Sequence, residues 1–252
     1  MSLKKKLLNK EKTIGSWLTI PHTSVVEILA SAGFEWLTID IEHTSITMDQ
    51  CFELIAAIQG NGMKALVRVS KNEEVVIKKV LDAGADGIIV PMVKNRTEAL
   101  QALDYTYYPP RGKRGVGLSR AQKYGIGFDQ YKQHLNDNIV VIAQIEHIKA
   151  VENIEEIVTT DGIDGIIVGP YDLSGSMGIP GEYHKPEVQE ALLKIEETCK
   201  RLNKTLGFHV IQSDASFTKE KINKGYNLIA FSLDFFFLGD KAREEMKKLK
   251  GN

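Results

Sequence analysis

"GADGIIVPM" at residues 84–92 and "GIDGIIVGP" at residues 162–170 are near copies of one phrase. Each contains Gly-Ile-Ile-Val, a run with no wet face. Such a run suits a parallel strand covered by helices better than a half-solvated antiparallel strand. Gly84 also closes the helical pattern "NEEVVIKKVLDAG", where a left-handed turn favours glycine. A helix end feeding a buried parallel strand is a unit that can repeat.

Working outward from these copies, eight strands are predicted: 13–20, 36–41, 64–69, 87–92, 139–145, 165–169, 205–211 and 228–233. The segments between them carry helix punctuation. Ser24 to Glu27 and Thr47 to Gln50 read as capping boxes, Asn95 to Glu98 as a weaker one, and Gly33 and Gly225 as stops. Eight strand–helix units in 252 residues match a (β/α)8 TIM barrel, with the whole chain as one domain. A doubly wound open sheet is the competitor, but no G-x-G-x-x-G or Walker loop follows any strand. The connection "YYPPRGKRGVGLSRAQKYGIGFDQYKQHL", between the fourth and fifth strands, is unusually long and is expected to form part of a mouth or a subunit contact.

Lys+Arg 32 against Asp+Glu 33 leaves a formal charge of -1, without a basic or acidic block. That argues against nucleic acid or a membrane surface as partner. The basic start "MSLKKKLLNKEK" leads into no apolar signal core, and no run approaches the roughly 20 apolar residues of a membrane span. Cys51 and Cys199 stand far apart, as lone packing thiols do. A cytoplasmic protein acting on small molecules is expected.

In a barrel of this kind the active site lies at the C-terminal strand ends. Those ends carry Asp40, Glu42 and His43; Arg68; Gln144 and Glu146; Gly169, Pro170 and Asp172; His209; and Ser232 and Asp234. Each has a plain structural alternative, such as Asp172 capping a short helix. Convergence of several ionisable groups on one face favours chemistry. Glu146 and Asp172 offer oxygen ligands from adjacent strands, which suits a hard divalent ion such as Mg2+ or Mn2+. The backbone around Gly169 to Asp172, entering a helix, would cradle a carboxylate. A Schiff-base mechanism needs a desolvated lysine, and no strand ends in one.

With these residues in place, the chain resembles the HpcH/HpaI family of class II 2-oxo acid aldolases. The resemblance rests on "GSWLTIPHTSVVEILASAGFEWLTIDIEH", "VRVSKNEEVVIKKVLDAGADGIIVPMV", "YYPPRGKRGVG", "IAQIEHIKAVENI" and "DGIDGIIVGPYDLSGSMGIPG". It implies a barrel of the phosphoenolpyruvate/pyruvate type, a homohexamer, and a C-terminal helix exchanged between subunits. It implies a divalent ion (Mg2+, Mn2+ or Co2+) on Glu146 and Asp172, with Gln144 beside the ion's water. The implied reaction cleaves a 4-hydroxy-2-oxo acid to pyruvate and an aldehyde, or forms it, through a metal-stabilised enolate. Arg68 would face the developing oxyanion, and His43, oriented by Asp40, would move the hydroxyl proton, leaving Glu42 the more structural role. Asp82 matches a residue supplied by a neighbouring subunit. Trp17 fits an aromatic wall, and Gly169, Pro170, Tyr171 and His209 line the substrate.

Ile41, Tyr171 and His209 depart from residues common in the family, namely glycine, alanine and an apolar side chain. The latter two departures should reshape the aldehyde pocket. Two other functions fit the strand ends: an acyl-CoA lyase like the citrate lyase β-chain, or a barrel that binds a metal–oxo acid complex without turnover.

Overall fold

The computed structural model describes residues 1–251. Eight strands, β1 (Thr13–Leu18), β2 (Trp36–Asp40), β3 (Lys64–Arg68), β4 (Gly87–Val90), β5 (Val140–Ile145), β6 (Gly165–Val168), β7 (Leu206–Val210) and β8 (Leu228–Leu233), pair in parallel in chain order. β8 returns to β1 and closes the barrel. The helices are α1 (Leu3–Leu8), α2 (Thr23–Ser31), α3 (Met48–Gly60), α4 (Glu74–Asp82), α5 (Arg96–Thr106), α6 (Phe128–Asn138), α7 (Ile148–Glu152), α8 (Ile154–Val158), α9 (Pro170–Ser176), α10 (Pro186–Arg201), α11 (Ala215–Asn223) and α12 (Asp234–Lys250). All eight expected strands are present, each within two residues of the bounds read from the sequence.

The period of two along each strand separates two cores. Outward-facing residues such as Leu37, Ile39, Val67 and Ile88 join a large cluster beneath the helices. Inward-facing Trp17, Trp36, Leu66, Ile89, Val140, Ile142 and Ile167 fill the barrel. The same alternation that turns Trp36 inward also turns Asp40 inward at the mouth, and Leu66 is followed two residues later by Arg68. β2 and β3 pair in a register that sets Asp40 directly beside Arg68.

At the opposite end α1 plugs the barrel. Leu3 and Leu7 join the interior cluster. Lys4 donates to the Ile139 carbonyl at 2.8 Å and pairs with Asp164 at 3.0 Å.

The helix signals are realised with one displacement. Thr47 and Gln50 form the reciprocal capping box of α3, and Asn95 accepts the Glu98 N–H at 2.9 Å. Gly33, Gly84 and Gly225 take the positive φ expected of helix stops. Ser24, however, lies inside α2, whose cap is His22; its Nδ1 accepts the Ser24 N–H.

The long fourth connection does not line the mouth of its own barrel. Arg114 ties it to Asp82 at the C-terminal end of α4 and to the Thr106 carbonyl at the end of α5. Helices run antiparallel to the strands they cover, so both ends lie at the face away from the site.

Candidate active site

Asp40 and Arg68 form the fixed centre of the mouth. Arg68 Nε donates to Asp40 Oδ1 at 3.0 Å and Nη2 donates to Oδ2 at 2.6 Å. Both side chains are buried. The backbone N–H groups of Glu42 and His43 also donate to Asp40 Oδ1, at 3.0 and 3.3 Å. Burial pushes the Asp40 pKa up, but the Arg68 bonds and charge outweigh it and hold the carboxyl below its ordinary value. Asp40 thus positions His43 through the main chain, whereas the group beside the His43 imidazole is Glu42, with Nε2 3.6 Å from its Oε2.

Arg68 also lies over Trp17, 4.5 Å from the ring centroid, and Trp17 stands 4.8 Å from the His209 ring. Arg68, Trp17 and His209 therefore make one continuous wall. The His209 Nε2 and the Trp17 Nε1 are buried without a hydrogen-bond partner. Burial, reinforced by the Arg68 charge, pulls His209 down to about 3, so its imidazole is neutral at physiological pH.

Across the mouth, Glu146 follows β5. The Met92 N–H donates to its Oε1 at 2.7 Å, and the Gln144 amide donates to Oε2. Met92 holds a φ of 55°, a left-handed conformation costly for its residue type, and that conformation accompanies the amide's aim at the carboxylate. Burial, together with the charges of Glu42 and Asp172, pushes Glu146 up to about 7. Glu42 also rises to about 7, through burial and through the charges of Asp40 and Asp172, against the pull of Arg68. Glu42 and Glu146 thus share a mouth that disfavours their ionisation, and each feels the charge of Asp172.

That donor set fits a hard divalent ion. A cation among the three carboxylates would relieve their repulsion. The buried Gln144 Oε1 lacks a hydrogen bond within the chain, and Glu42 Oε2 has no hydrogen bond but lies 3.3 Å from Arg68 Nε. A Cβ at Gly169 would come within 3.0 Å of Glu146 Oε2 and 3.2 Å of Gln144 Nε2, so glycine keeps this cradle open. Among the described residues no three His, Cys, Asp or Glu side chains close around a point as an all-protein cage does. An ion here would therefore need ligands from water and substrate, as is usual for Mg2+.

Asp172 occupies the first turn of α9 rather than its cap, which is Gly169, with Pro170 at the first helical position. The Gly169 N–H is taken by the Ile145 carbonyl at 3.1 Å, so a carboxylate cradle there would rest on Tyr171 and Asp172. Tyr171 is exposed at the rim. Asp82 lies at the far face, paired with the buried Arg114 at 2.5 Å. Asp234 serves the β1–α2 loop: its carboxylate accepts the Thr19 and Ile20 N–H groups at 2.7 and 2.8 Å. Ser232 donates to the Ile211 carbonyl at 3.0 Å. Met92 escapes sequence reading altogether, because any residue supplies a backbone N–H.

Residues 13–238 match the HpcH/HpaI aldolase/citrate lyase family. The chain is 33% identical over 246 residues to the 2-dehydro-3,6-dideoxy-6-sulfogluconate aldolase of Pseudomonas putida, covering 97% of this chain and 95% of that protein. It is 32% identical over 249 residues to the 2-keto-3-deoxy-L-rhamnonate aldolase of Escherichia coli (strain K12), covering 98% and 92%. The crystal structure of a HpcH/HpaI aldolase/citrate lyase family protein from Burkholderia cenocepacia J2315 superposes with a TM-score of 0.93 at 31% identity, covering 98% of each chain. With a closed barrel, a charged mouth and matches over nearly its whole length, the chain belongs to the HpcH/HpaI aldolase/citrate lyase family and is a carbon–carbon lyase of the aldolase kind.

Proposed function

We propose that the protein is a divalent-metal-dependent aldolase that cleaves a 4-hydroxy-2-oxo acid to pyruvate and an aldehyde. The observation that carries this reading is the gathering of Glu42, Glu146 and Asp172 in one mouth with Arg68, whose Nε lies 3.3 Å from Glu42. Glu146 and Asp172 would hold the ion, with Gln144 Oε1 accepting from a water beside it. Mg2+, Mn2+ or Co2+ would supply Lewis-acid charge at the 2-oxo group.

This chain's own residues account for the rest. The base, His43 with Glu42 beside it, takes the proton of the 4-hydroxyl group. The C3–C4 bonding pair moves toward C2, leaving an aldehyde and an enolate of pyruvate, which gains a proton at C3. Arg68 is held still by Asp40 through Nε and Nη2, and its Nη1 is left to meet the developing oxyanion. Trp17 and His209 would wall the aldehyde side, with Tyr171 and Pro170 at the rim.

We also propose a homohexamer that exchanges α12 and brings Asp82 to a neighbour's mouth. In its support, α12 leaves Phe235, Leu238, Met246 and Leu249 exposed, and Asp82 is out of reach of its own site. No described helix is long and apolar enough to cross a membrane. The two cysteines are buried free thiols, as befits a protein of the reducing cytoplasm.

Pyruvate in heavy water tests the reaction without an aldehyde. Exchange of its methyl protons, followed by NMR, should require Mg2+ or Mn2+ and stop with excess chelator. His43→Ala should slow it by about 100-fold or more, the scale of general-base catalysis. A folded protein that exchanges nothing with any divalent ion would overturn the proposal.

A further inference from the structure

Away from the mouth, one lysine whose side chain is packed inward has no carboxylate partner for its ammonium group, which keeps contact with accessible space. Lys221, on the inner face of α11, is 4% exposed. Among the described residues no hydrogen bond or ion pair reaches its Nζ, and only burial and distant charges act on it. Three rings surround it instead: Nζ lies 4.2 Å from the Phe208 centroid, 5.0 Å from Phe217 and 5.3 Å from Tyr226. Glu196, the nearby carboxylate, accepts the Tyr226 hydroxyl at 2.8 Å without pairing with Lys221. Lys224, the other lysine at this place, is matched by Glu220 at 2.8 Å.

Ring faces replace only part of the hydration that an ammonium group loses on burial. The space beside Lys221 is where the missing partner fits. A cavity of about 160 Å³ opens there, with apolar walls that include Leu192, Phe208 and Phe217, and with the Glu220–Lys224 pair on its lining beside Lys221. An apolar cavity of about 150 Å³ holds a benzene ring. The size, the apolar walls and the single unmatched positive charge describe one class of ligand.

We propose that the cavity between β7 and α11 is a second ligand site, taking a small organic monocarboxylate whose charge meets the Lys221 ammonium and whose apolar body lies among the rings. Burial and the Lys224 charge pull Lys221 below the ordinary lysine pKa, and a bound carboxylate would reverse that pull. His209 and Pro170 also border this cavity, so its occupant sits directly behind the wall of the mouth.

Benzoate and its neutral isostere benzamide are suitable probes on the Mg2+-loaded protein, with excess oxalate present to occupy the mouth. Calorimetry should find one benzoate per chain, with benzamide at least tenfold weaker. Lys221→Met should weaken benzoate at least tenfold, while Lys219→Met, an exposed lysine of α11 outside the cavity lining, changes it less than threefold. A benzoate-soaked crystal should place a carboxylate oxygen within hydrogen-bond distance of Lys221 Nζ. Equal affinity for the two probes, an unaffected Lys221→Met, or density for water alone beside Lys221 would each overturn the proposal. Should Lys221→Met fail to fold, the benzamide contrast and the density in the wild-type protein still decide.

Discussion

Glu42 and Glu146 stand at about 7, well above the roughly 4.3 of a free glutamate. The folded chain therefore holds protons that the unfolded chain releases between those values. Their contribution to stability is complete below about pH 4 and is lost as pH rises through 7. A divalent ion acts in the opposite sense, because it needs the carboxylates ionised. Mn2+ should therefore raise the melting temperature more at pH 8 than at pH 6, and its binding near pH 7 should release protons to the buffer. Glu146→Gln should abolish both effects, as read by scanning calorimetry and titration in two buffers; an equal shift at the two pH values would contradict the metal assignment. Asp40 obeys the reverse sign: its lowered pKa contributes stability above about pH 4 that is lost as pH falls through the folded value. Arg68→Leu would leave that buried carboxylate unpaired and should cost about 3–5 kcal/mol in urea unfolding, with Asp40→Asn restoring part of the loss. At this scale the sequence discloses residue types but not their partners. Asp40, Arg68, Gln144 and Glu146 were legible as polar ends of apolar strands. That Glu42, not Asp40, stands beside the imidazole depends on the turn after β2, which no spacing encodes.

Strands were legible because burial on both faces leaves them apolar throughout, and glycines mark where the preceding helices stop. The pleat then does what no motif does: Trp36, Thr38 and Asp40 point one way, and Leu37 and Ile39 the other, so one register assigns both core and site. Short helices were harder to read. His22 displaced Ser24 as the cap of α2 because a neutral imidazole nitrogen accepts an N–H as a hydroxyl oxygen does. Nothing in "LKKKLL" announces that α1 enters the barrel, since three of its six residues are lysines. Yet Leu7 is fully buried there. Leu7→Ala should cost about 2–5 kcal/mol in urea unfolding, the range for emptying a buried leucine site. Metal affinity should stay unchanged, because the plug and the mouth lie at opposite ends of the strands. A loss of metal binding at full stability would show instead that α1 acts on the site.

A barrel of this size buries its own core but leaves two features that the chemistry of one chain does not use. α12 turns Leu238 and Leu249 to solvent at 67% and 80% exposure, more apolar surface than a solvent-facing helix needs. Asp82 holds a carboxylate at the face opposite the chemistry, fixed by Arg114. In the proposed hexamer one geometry answers both: α12 packs on a neighbour, and Asp82 enters a neighbour's mouth. Shared sites make a prediction that no monomer satisfies. His43→Ala and Asp82→Ala should each be nearly inactive alone, because every mouth in either homo-oligomer lacks one group. Unfolded together and refolded as a mixture, the two variants should regain activity, since some mouths then pair an intact His43 with an intact Asp82 from the next subunit. Light scattering should give six chains per particle for each variant and for the mixture. Mixing without any gain, in particles of that size, would assign Asp82 a structural role at the Arg114 contact and leave each barrel to work alone.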